Sequence, residues 1–144
     1  MTAKQYLQNY RKLECDYKVA LEEYRQVEND MISIKSPSFG DDKVQTSPKN
    51  DPIGEMVCNI EKRKAIIGVR MTTIQSKMTL IRNQVLSLEE TDNDYYTILM
   101  MRYILYKEWK FICSTLHVSR TQANFLHGRA LQEFDNKYSE TLKD

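Results

Sequence analysis

"WKFICSTLHVSRTQANFLHGRAL", residues 109 to 131, decides how this chain folds. Counted from Trp109, apolar or small side chains fall at the fourth, fifth, eighth, tenth, fifteenth and eighteenth places, as Ile112, Cys113, Leu116, Val118, Ala123 and Leu126. That pattern suits two short helices crossing at a tight turn, with the small fifth residue where they touch. The turn itself falls on His117. Glycine is usual there because the backbone must be left-handed, but histidine is among the side chains that tolerate positive φ, at a cost of roughly 1 kcal/mol. Ser119 then offers an N-cap and Gln122 the returning half of a capping box, so the second helix begins at Arg120.

Upstream, "EETDND" at 89–94 closes one helix and opens another. Thr91 with Asp94 fits a capping box there, and the helix carries Tyr95, Ile98, Leu99, Met101, Arg102 and Tyr103 before a break around 104–106. Further upstream two long stripes appear. Ala3, Tyr6, Tyr10, Leu13, Tyr17, Ala20, Tyr24, Val27, Met31 and Ile34 alternate spacings of three and four. The same alternation runs through Ile53, Val57, Ile60, Lys64, Ile67, Met71, Ile74, Met78, Ile81, Val85 and Leu88, where only Lys64 breaks it. A 3.5-residue period held this long is a coiled-coil signal. The two helices would be roughly 48 and 54 Å long. Between them "SPSFGDDKVQTSPKNDP", residues 36–52, holds all three prolines and reads as a loop. The expectation is an all-α chain. Residues 1–90 form a long antiparallel helical hairpin, with Tyr10, Tyr17 and Tyr24 against Met71 and Met78, and residues 91–144 form a three-helix helix-turn-helix domain. Pairing of the stripes between two chains, as a homodimer, uses the same residues.

Composition narrows the function classes. The longest aliphatic run, Ile98 to Met101, is far short of the ~20 residues a membrane span needs, and the N-terminal stretch is unlike a signal peptide. A cytoplasmic protein without membrane partners is expected. Cys15, Cys58 and Cys113 have no metal-type spacing and read as reduced, mostly buried thiols. No phosphate-binding glycine loop, HExxH or GxSxG occurs, so neither an enzyme nor a metal or cofactor site is expected. Net charge is only +1, but residues 53–88 carry six basic against two acidic side chains, and 107–131 four against one. Two positive faces are expected on a nearly neutral chain.

"ILMMRY" at 98–103, "YKEWKFICSTLHVS" at 106–119 and "RTQANFLHGRAL" at 120–131 resemble the fourth region of bacterial primary-type sigma factors, above all in the ending "LHGRAL". A long N-terminal coil, a proline-rich loop and such a C-terminal module together resemble phage-encoded late-transcription regulators of the RinA and ArpU kind. The resemblance implies a DNA-binding transcription regulator, an activator working with bacterial RNA polymerase in the host cytoplasm. Because Ala123, Leu126 and Ala130 turn inward, Arg120, Thr121, Asn124 and Phe125 face outward from the first turns of the second helix, where a recognition helix meets base edges in duplex DNA. Arg120 suits guanine and Asn124 adenine, while Thr121 or Phe125 suits a thymine methyl. Lys107, Lys110, Gln122 and Arg129 would contact phosphates. Sigma factors carry further basic residues where this helix has Asn124 and Phe125, so their promoter sequence does not carry over. His127 and Trp109 read as packing residues, and Phe125 equally suits a hydrophobic patch on a partner. A coiled-coil adaptor bound to polymerase or a DNA-packaging complex is the rival reading.

Overall fold

A computed structural model describes residues 1–35 and 51–143. Every element among them is helical: α1 (Ala3–Lys35), α2 (Pro52–Leu86), a 3-10 turn (Ser87–Glu90), α3 (Asn93–Leu99), a π-helical turn (Met100–Ile104), α4 (Trp109–Leu116), α5 (Arg120–Lys137) and α6 (Ser139–Lys143). The loop expected over 36–52 lies outside the described residues except for its end. There Asp51 Oδ1 accepts from Gly54 N at 2.9 Å and Pro52 takes the first helical position, which together start α2. No described helix is long and apolar enough to cross a membrane.

The described residues divide into two compact units, Met1–Cys15 with Gln75–Asp144, and Asp16–Ile74, so the division cuts across both long helices. In the second unit Ala20 and Val27 of α1 are buried with Ile60 and Ile67 of α2, and Tyr24, Met31, Ile34 and Met71 pack around them. Lys64, the break in the α2 stripe, is half-buried: its Nζ lies 5.2 Å from the centroid of the Tyr24 ring and 3.6 Å from Glu28 Oε1. A cation fits the seam because an aromatic face and a carboxylate receive it.

The first unit holds the larger core. Leu7, Tyr10, Ile81, Val85, Leu88, Ile98, Leu99, Ile112 and Phe134 are among its buried side chains, brought in from α1, α2, the 3-10 turn, α3, α4 and α5. Fully burying one such side chain is worth roughly 1.5–3 kcal/mol. Polar groups at its edge are satisfied. The Tyr6 hydroxyl donates to Oε1 of buried Gln84 at 2.8 Å, and Arg82 Nη2 donates to the Tyr10 hydroxyl at 3.0 Å. All ten stripe positions of α1 are buried or half-buried, as are those from Val57 to Leu88, while Ile53 is exposed.

Two expectations are corrected. Cys15 and Cys58 are exposed and Cys113 is half-buried, because Cys15 and Cys58 sit beside the stripes and not on them; all three are free thiols. The cap of α3 is Asp92, extended at φ −159°, whose side chain accepts from Asp94 N at 2.9 Å, while Thr91 stays in the αR region at the end of the 3-10 turn. The break falls around 104–106, as expected: the π-helical turn, which carries buried Tyr103 and Ile104, ends at Ile104, and Tyr106 is left-handed at φ 56°.

Candidate nucleic-acid interface

The turn between α4 and α5 follows from its residues. His117 is left-handed (φ 57°, ψ 43°) and the next amide, Val118 N, reaches back to Cys113 O at 3.1 Å, closing the wide hydrogen-bonded loop that ends many helices. Ser119 caps α5: its Oγ accepts from Gln122 N at 3.2 Å, and Gln122 Oε1 accepts from Ser119 N at 3.1 Å. Ile112 and Ala123 are buried, with Cys113, Leu116, Val118 and Leu126 half-buried, so the motif's six apolar positions all face inward to some degree.

What remains outside is the other face of α5. Arg120, Thr121, Gln122, Asn124, Phe125 and Arg129 are exposed. Arg120 Nε donates to Asn124 Oδ1 at 3.2 Å, and the same guanidinium lies 4.8 Å from the centroid of the Trp109 ring. Two of the four residues expected to read bases are therefore coupled. Adenine recognition uses both the oxygen and the nitrogen of an Asn amide, so contact by Asn124 would replace its bond to Arg120. Gln122 already spends its side-chain oxygen on the cap, which leaves its NH2 for a phosphate. Arg129 stacks over Phe125 at 4.9 Å, and Lys107 over Phe111 at 5.1 Å. Lys110 is exposed on α4. Phe125, 63% exposed, borders an apolar cleft of about 420 Å³ with Val118, Thr121, Gln122 and Leu126.

Trp109 has a role that apolar spacing does not suggest. Arg102, from the π-helical turn, also approaches its ring, at 5.0 Å, so one indole receives two guanidiniums from separate elements. The same indole and His127 pack nearly at right angles, with ring centroids 4.9 Å apart. His127 Nε2 is hydrogen-bonded to the Tyr103 hydroxyl at 2.8 Å. Burial, then the positive charges of Lys4 and Arg102, push the imidazole down to about 4, so it is neutral at ordinary pH. The packing role expected for His127 and Trp109 thus extends to positioning arginines. An indole three residues before the first motif apolar, flanked by arginines eleven residues downstream and seven upstream, is the signal that could have disclosed it.

No group of His, Cys, Asp and Glu suited to a metal occurs among the described residues. Comparison with known protein families, curated proteins and solved structures finds no match to this chain.

Proposed function

We propose that this protein is a sequence-specific DNA-binding regulator of transcription, with α4, the His117 turn and α5 acting as a helix-turn-helix and α5 entering the major groove. The observation that carries this reading is the exposed first half of α5, where Arg120 is bonded to Asn124 and lies over Trp109 behind a capped, tight turn. A pre-ordered guanidinium loses less freedom when it meets guanine O6 and N7. Exposed Lys107, Lys110 and Arg129 supply charge that sets register on the backbone. In the finer architecture proposed, α1 and α2 form an antiparallel hairpin within one chain. The phage late-activator role alongside bacterial RNA polymerase rests on the resemblance to the sigma fourth region. A grip of only a few cations on duplex DNA calls for a second contribution, from polymerase or from a second copy.

Selection of bound sequences from a random duplex pool, followed by affinity measurement on the selected site, tests the reading. Arg120→Ala and Asn124→Ala should each lose roughly 1–3 kcal/mol of preference for the selected site, with the double variant losing less than the sum because the two side chains are bonded to each other. Equal affinity of the wild type for every duplex at moderate salt would sink the proposal.

The adaptor reading is favoured by one feature, the exposed Phe125 beside the apolar cleft with Val118 and Leu126. It requires that polymerase or packaging-complex binding survive Arg120→Glu with Asn124→Ala but not Phe125→Ala.

A further inference from the structure

A cleft of about 340 Å³ is lined by Gln8 and Arg11 of α1, Arg102 and Tyr103 of the π-helical turn, and Tyr106. We propose that it is a phosphate site. On the DNA-binding reading above, on which this part rests, it holds a backbone phosphate diester beside the sequence read by α5, and so makes the start of α1 part of the nucleic-acid footprint.

Two guanidiniums from distant parts of the chain meet here, and among the described residues neither is ion-paired with a carboxylate. Each is oriented by an aromatic face instead: Arg11 lies 5.5 Å from the Tyr106 ring centroid and Arg102 lies 5.0 Å from that of Trp109. Arg102 Nη1 also donates to Lys107 O at 3.2 Å. These contacts occupy ring faces and one N–H, and leave most of ten guanidinium donors for an oxyanion, whose oxygens match the planar fork.

The charges facing the cleft are unequal. Burial, and the hydrogen bond that the Tyr106 hydroxyl donates to Glu14, hold that phenol far above its usual range. The cleft itself is lined by two cations, Arg11 and Arg102. Because Arg102 and Arg120 share the Trp109 ring, one indole links the cleft to the base-reading end of α5.

Two titrations of the full chain test this. Inorganic pyrophosphate, followed by the Nε–H resonances of arginine, should shift Arg11 and Arg102 in the wild type and leave Arg102 unmoved in Arg11→Ala. A short random-sequence duplex, titrated at a series of salt concentrations, should bind Arg11→Ala with a slope of log K against log salt shallower by about 0.9, and Arg11→Lys with the wild-type slope. Arg11 is exposed on α1, so its substitution leaves the core untouched. A pyrophosphate response without duplex binding supports the site, assigns it a free phosphorylated molecule, and removes the DNA reading. A shallower slope without a pyrophosphate response supports the diester. Duplex binding with an unchanged slope and no pyrophosphate response overturns the cleft and leaves the DNA reading standing.

Discussion

His127 lies between the Tyr103 hydroxyl and the Trp109 indole, and its surroundings disfavour the charged ring. The folded state holds the imidazole at about 4, against about 6.5 when unfolded, so the unfolded chain takes up a proton first as pH falls. The neutral ring's contribution to stability is therefore full above about pH 6.5 and is lost progressively as pH falls towards 4. Discounted for the ring's partial contact with water, the loss is on the order of 1–2 kcal/mol. Denaturant midpoints of wild type and His127→Gln should differ least near pH 4 and most above pH 6.5, and the histidine ring signals should show one residue titrating near 4. A His127 that titrates near 6.5 would show that the ring is solvated and the indole platform loosely held. Spacing alone marks Trp109 and His127 as packing residues; the arginines on the indole were not legible, because Arg102 reaches it through a π-helical turn that no local sequence pattern announces.

Among the elements, the turn between α4 and α5 was the most legible, since local chemistry dictates it. A left-handed His117 and a reciprocal Ser119–Gln122 box depend on residues within a few positions of each other. His117→Gly should therefore stabilise the fold by about 0.5–1 kcal/mol by removing the Cβ from a left-handed position, whereas Ser119→Ala should cost about 1 kcal/mol by orphaning an amide of the first turn. Thermal unfolding of the two variants checks both, and opposite signs are the expected result. If His117→Gly destabilised, histidine would be making a contact beyond its backbone. The start of α3 shows the limit of such reading. Thr91 and Asp94 have the spacing of a capping box, but the preceding 3-10 turn runs through Glu90, keeps Thr91 in helical geometry and passes the cap to Asp92. Likewise, Lys64 breaks a stripe in sequence and belongs to it in three dimensions, because Tyr24 and Glu28 come from the other helix.

Across the whole molecule, the 3.5-residue stripes fix which faces are buried but do not reveal that their two ends belong to different cores. Among the described residues, fourteen buried ones form the core of the unit built from Met1–Cys15 and Gln75–Asp144, whereas four form that of Asp16–Ile74. In the smaller unit Ile66 and Val69 of α2 are 70% and 68% exposed, so apolar side chains that would lend stability elsewhere contribute little there. Local opening free energy follows the apolar contacts a segment must break. Amides of 20–34 and 57–73 should thus exchange at least roughly tenfold faster than those of 81–86, 95–104 and 123–134, a difference of about 1.4 kcal/mol or more. Native-state hydrogen exchange followed by mass spectrometry at low protein concentration reads this directly. Addition of duplex DNA should slow exchange in 109–131 and, if the Arg11 cleft takes a phosphate, in the first turns of α1, with 57–73 unchanged. Equal protection along both long helices would mean that the stripe acts as one cooperative coil, and that its few buried residues near Tyr24 contribute more than their area allows.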